Sequence, residues 1–154
     1  MLGSAILWTH VAAGAIWVGA CACFVIAGLA LAAGSDDQRN FVASAAPKID
    51  LLGLVAAVVL LATGFINLIT AGVARRFVFS TSFMAVLAIK IALFIVMIVV
   101  MTWSMRVGAV IRAVVARERV DAVPGAMTRM VRAHIAIVAM GGIALILGTW
   151  LMGS

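Results

Sequence analysis

The sequence predicts an all-α protein: a single-domain, four-helix transmembrane bundle, up-down-up-down, with both termini on the outer (periplasmic) side. Three observations predict it. Of the 154 residues, 67% are hydrophobic and only 10% charged, with a mean hydropathy of +1.32, whereas ordinary soluble domains are about 25% charged. Four apolar stretches are each long enough to cross a hydrocarbon core, which takes about 20 helical residues. The basic residues also collect in alternate connections, as the positive-inside rule requires.

The first span is expected from about Ala5 to Ala33, ending at GSDDQRN. No Lys or Arg precedes it, and its apolar run exceeds the roughly 7–15 residues of a signal-peptide core, so it reads as a retained helix. The second is expected from about Leu51 to Val73, before Arg75 and Arg76. The third runs from about Ser82 to Met105 with one charge, Lys90, and the fourth from about Ala133 to Met152. The connection RVGAVIRAVVARERVDAVPGAMTRMVR keeps a helical pattern at first, which extends the third helix to about Val120 before Pro124-Gly125 breaks it.

Arg39 and Lys48 lie in the first connection, and Arg106, Arg112, Arg117, Arg119, Arg129 and Arg132 in the third, against Arg75 and Arg76 in the second. This eight-to-two division places the first and third connections in the cytoplasm and the chain in the inner (cytoplasmic) membrane. The net charge of +6 is therefore a topology signal, and a nucleic-acid surface is a poor reading of it. A basic segment near Pro124 also suits anionic lipid headgroups. All five acidic residues are expected outside the spans, and the chain shows no nucleophile–base pair, nucleotide loop or paired carboxylates, so hydrolysis is not indicated.

Polar residues inside the spans are the candidates for function, because an ionisable group at membrane depth is expensive. At about 100° per residue, His10, Gly14, Trp17, Cys21 and Phe24 share one stripe of the first helix. Gly14 leaves room beside His10 for something flat and large, which Trp17 could wall; the same glycine equally suits a helix-packing groove. Cys21 and Cys23 point apart and read as packing residues. Thr63, Asn67 and Thr70 share a face of the second helix, and Asn67 or Thr63 is placed to hydrogen-bond His10 or a bound group. Lys90 continues into a stripe of Phe94, Met97, Met101 and Met105. It could snorkel, pair with an anion or act as a proton-active catalytic group, since burial makes a lysine's pKa movable. Met84 and Met152 fall at the His10 side, either able to supply a second axial ligand to a metal. His134 lies at the other end, roughly 20 Å away along the membrane normal, with Met105, Met127 and Met130 on its side. The two histidines thus cannot share one iron within a protomer, and the methionines around His134 would suit Cu(I) or plain packing.

The segments THVAAGAIWVGA, APKIDLLGLVAAVVLLATGFINL and FMAVLAIKIALFIVM resemble the small membrane proteins related to copper-resistance protein D and to HemJ, the haem-containing protoporphyrinogen oxidase of many bacteria. The matching positions are His10, Trp17 with Gly19, Pro47 and Lys90, and the resemblance covers roughly residues 5–105. It implies a four-helix membrane protein that binds b-type haem through His10, with a functionally important lysine. Where HemJ has an asparagine–glutamate–x–proline motif before its last helix, this chain has RVDAVPGAM, keeping only Pro124. Three readings follow. In the first, an electron-transfer protein binds haem b with His10 as axial ligand, Met84 or Met152 as a second, and Lys90, Arg75 or Arg76 on the propionates. In the second, a copper-handling protein uses a histidine with methionines of the same membrane side as metal ligands, His10 with Met84 at one end or His134 with Met105, Met127 and Met130 at the other. In the third, a non-catalytic membrane subunit packs its glycine faces against a larger redox complex or a second copy of itself.

Overall fold

Apolar side chains in lipid gain little from hiding from water, so what shapes this chain is the need to satisfy every backbone N–H and C=O internally. The result is helix almost throughout. The computed structural model describes residues 2–115 and 123–153. It comprises α1 (Leu2–Ala30), a short α2 (Asp36–Asn40), a π-helical turn (Phe41–Ala45), α3 (Ala46–Ala74), α4 (Thr81–Val115) and α5 (Val123–Gly153). Gly3–Ala30, Asp36–Ala74, Thr81–Val114 and Pro124–Gly148 are each long and apolar enough to cross a membrane, the pattern of a multi-pass membrane protein.

The second and fourth spans begin earlier than the hydropathy suggested. Ser35 caps α2 by accepting a hydrogen bond from the Gln38 amide at 3.1 Å, and the helix then continues without a break into α3. Gln38, Val42, Ala46 and Asp50 are all buried at a strict spacing of four. An ideal α-helix would rotate such a row off one face; the wider turn at Phe41–Ala45, just ahead of Pro47, keeps it inward. Pro47 lacks the N–H that an α-helix would commit to the Ala43 carbonyl, so the widened turn costs little there. Pro124, expected to end a helix, instead sits in the first turn of α5, where its missing N–H is not needed. The expected extension of α4 to Val120 enters residues 116–122, outside the described residues; α4 is described to Val115.

α1 packs against both α3 and α5, and α5 packs on α4, while α3 and α4 meet least. The contacts run in reverse register. His10, Trp17 and Phe24 of α1 meet Gly64, Gly53 and Val42–Ala46 in turn, while Val18 and Gly28 meet Gly141 and Val131 of α5. Glycines set the closest approaches, the means by which membrane helices gain packing contact. A Cβ on Gly53 would fall 2.9 Å from Met101 Cε and 3.2 Å from Trp17, and one on Gly28 would fall 2.5 Å from Val131. Two buried clusters result. One holds Trp17, Cys21, Ala56, Ala57, Met97, Met101 and Ile137; the other holds Phe24, Val42, Ala46, Met127, Met130 and Val131.

The α3–α4 turn places Arg76 and Phe77 in the left-handed region, at φ 51° and 58°. The Phe77 amide donates to the Gly72 carbonyl at 2.7 Å, and its ring lies on the bare Cα of Gly72.

The glycine seam yields a paired expectation. Gly141→Val drives a side chain into Val18 and should cost about 1–3 kcal/mol of stability. Gly142→Val, where a Cβ meets nothing within 4 Å, should stay within about 0.5 kcal/mol of wild type. Thermal unfolding of the two variants in one detergent separates them.

Candidate functional site

Two polar sites occupy the bundle, one around each histidine. His10 reaches from α1 to α3, half-buried. Its Nδ1 lies 3.1 Å from the Leu60 carbonyl and 3.1 Å from Thr63 Oγ1, whose own hydroxyl donates to the Val59 carbonyl at 2.7 Å. A carbonyl can only accept, so Nδ1 carries the hydrogen and Nε2 keeps a lone pair. No described residue bonds that Nε2. The open face of Gly64 lets the ring lie flat on α3: a Cβ there would come within 3.0 Å of His10 Cε1.

Lys90 approaches the same region from α4. It is half-buried, and its Nζ lies 3.0 Å from where a Gly148 Cβ would stand. Val18 meets Gly141 with α1 and α5 in reverse register, so Gly148, and with it Lys90, comes near the level of His10 along the bundle.

The other expected residues lie as follows. Gly14 faces α3, 3.5 Å from Leu60 at its would-be Cβ. Trp17 walls no open space beside His10. It is 1% exposed, edge-on to Phe94 with ring centroids 5.6 Å apart, and pressed on Gly53. Thr63 supplies the contact to His10; Asn67 is half-buried one turn further and makes no hydrogen bond to that ring. Arg75 and Arg76 are exposed, with the Arg75 guanidinium 5.4 Å over the Phe83 ring. Met84 is 50% exposed. The side chain of Met152 lies outside the described residues. Cys21 is buried and Cys23 exposed, on opposite sides of α1.

The second site was half hidden in the sequence. His134 is fully buried, and its ring stacks on Phe24 with centroids 3.9 Å apart and planes 4° from parallel. Its Nδ1 donates to the Met130 carbonyl at 2.8 Å, and its Nε2 faces Asp50 Oδ1 at 3.3 Å. This corrects the expectation that all five acidic residues lie outside the spans: Asp50 stands in α3, 2% exposed. The error came from treating it as the last loop residue before an apolar run. The signal that could have found it is the row Asp50, Gly53, Ala57, Leu60, Gly64, whose small residues mark the inward stripe of α3.

Of the methionines expected around His134, Met127 and Met130 join the cluster of Phe24, whose ring covers it, while Met105 packs against the Trp17 cluster; the group opposite the free nitrogen is a carboxylate. Ser104 of α4 was also missed. Gly108 meets Met130 and Met97 meets Gly141, so Ser104 comes level with His134, and its hydroxyl is fully buried. Among the described residues no three His, Cys, Asp or Glu side chains gather to hold a metal ion.

No family model, curated protein or solved structure matches the chain.

The Asp50–His134 contact should show as coupling. Asp50→Asn and His134→Gln each destabilise the bundle, and the double variant should fall short of their sum by about 0.5–3 kcal/mol. Unfolding of the four proteins in one detergent measures the difference.

Proposed function

We propose that the chain is a multi-pass protein of the inner membrane, up-down-up-down with both termini outside, that binds b-type haem through His10 and transfers electrons. One observation carries this reading: the His10 ring is anchored through Nδ1 to Leu60 and Thr63 while Nε2 is left without a protein partner. Metal-ligating histidines are held this way, since a carbonyl or hydroxyl on one nitrogen fixes the tautomer and aims the other. The eight-to-two division of basic residues supports the orientation, with the His10 end outward.

The residues fit the group in kind. His10 would offer a nitrogen ligand through Nε2, its ring seated on α3 by the bare Cα of Gly64 while Gly14 packs on Leu60, and Lys90 would supply a positive charge for a propionate. Arg75 and Arg76, exposed at the end of α3, are further candidates for the propionates. Met84 and Met152 remain the proposed second ligands. Haem, when bound, supplies one-electron chemistry. The chain's own residues hold the imidazole at a set angle, exclude water from its anchored side and place a cation nearby.

The test is a reduced-minus-oxidised absorption spectrum of the detergent-purified protein with metal analysis of the same sample. Wild type should show Soret and α bands that vanish in His10→Ala. Thr63→Ala should keep the bands but hold haem about 10- to 100-fold more weakly, as loss of an outer partner does at metal sites. Absence of a Soret band with haem supplied during expression would overturn the reading; copper in its place would favour metal handling.

A further inference from the structure

The Asp50–His134 site has a different character from the first. Its two ionisable groups lie inside membrane-spanning helices, 98% or more buried, where the bundle could have used apolar residues instead. A buried ion pair adds little stability over well-packed apolar side chains, so stability alone does not explain its presence.

The pair also spends its polar atoms poorly. Asp50 Oδ1 and His134 Nε2 stand 3.3 Å apart without the alignment of a hydrogen bond, and neither has another partner. Ser104 Oγ, level with them on α4, is equally unspent. Buried polar atoms left this way call for an explanation, a chemical role among them.

The remaining features point to a proton. Because His134 Nδ1 already donates to Met130, the one basic nitrogen of the ring is Nε2, and it faces the one buried carboxylate among the described residues. The titratable and charged groups facing the pair from each packed element are few. α1 contributes the buried Cys21 thiol, and α4 contributes no charge at the Ser104 level. Arg106 is exposed and Lys90 belongs to the His10 end, while Arg112 folds back along α4 so that its buried, unpartnered Nη1 lies 3.3 Å from where a Gly108 Cβ would stand, one turn from Ser104. Among the described residues no lysine or arginine comes within 4.0 Å of the Asp50 carboxylate, whose ion-pair contact is His134.

On the side away from the core, Met127 and Val131 line an open groove with Gln38, Thr128 and Arg132, and both belong to the cluster of Phe24, whose ring covers His134. The groove brings the aqueous, basic end of the bundle to the back of that cluster.

We propose that Asp50 and His134 form an intramembrane proton-binding site, independent of the His10 reading, that takes a proton from water at the basic end and returns it there. In the transfer between the two residues the Nε2–H bond breaks as the Oδ1–H bond forms, with no change in total charge; uptake from water adds one proton to the pair. Ser104 Oγ lies at the same level on α4, buried and without a partner.

Isotope-edited infrared spectroscopy of the full chain in lipid tests it. The chain has four aspartates, so the variant Asp36→Asn/Asp37→Asn/Asp121→Asn leaves Asp50 as the only one, and side-chain carboxyl labelling of aspartate then reports Asp50 alone. With pH stepped from acid to alkaline, the labelled signal should interconvert between carboxyl and carboxylate bands, and the carboxyl band should shift in heavy water. Adding His134→Gln should displace the signal. A labelled signal that stays in one form at every pH at which the protein remains folded would overturn the proposal, as would one indifferent to His134→Gln. Either result would make the pair a fixed packing contact. Because Asp50 is retained in every sample, a failure of Asp50 variants to fold does not affect the outcome.

Discussion

The inward stripe of α1 is what the rest of the bundle depends on. Trp17 fills the notch at Gly53 of α3, Phe24 lies flat on His134 of α5, and Val18 and Gly28 set the spacing to α5. In lipid no expulsion of water drives these helices together, so close shape fit must do it, and fit requires small residues opposite large ones. α3 and α5 each meet α1 through glycines, and α4 is held chiefly through α5. Where α3 and α4 meet, the fit rests on Met101 over Gly53. The flexible thioether fills a space that a branched side chain would fill less readily.

The same dry interior governs the polar groups. Both histidines spend Nδ1 on a backbone carbonyl, Leu60 for His10 and Met130 for His134. They differ in what faces the other nitrogen. His10 is half-buried with Nε2 unpartnered, beside glycine-lined helix surfaces and a lysine; His134 is sealed beneath Phe24 and turned toward a carboxylate. One arrangement suits an outside ligand and the other an internal proton. Local chemistry is nearly identical in the two, so the surroundings, supplied by other helices, decide the role.

Much of this was legible from spacing. The stripe of His10, Gly14, Trp17, Cys21 and Phe24 does face inward, as does the methionine row below Lys90, because helical periodicity needs no knowledge of neighbours. Thr63 was within reach of His10 for the same reason. For Trp17 a wall beside a bound group and a packing groove were both open; its indole packs in the core against Gly53, whose position the sequence does not show. Asp50 was misplaced because hydropathy alone sees a charge and ends the span there. The continuous helix through Pro47 depends on a widened turn that no hydropathy profile displays.

The sequence by itself determined that four helices are long and apolar enough to cross lipid and which faces of α1 and α4 turn inward, because both follow from chain composition and the 3.6-residue period. Its charge pattern also carries the only statement of orientation. Tertiary structure alone decided which nitrogen of each histidine is free, that Asp50 and His134 meet, and that Ser104 lies level with them. Those outcomes turn on register between helices far apart in the chain, set by glycine notches and side-chain volumes on two surfaces at once. A single helix's pattern contains no record of its partner's.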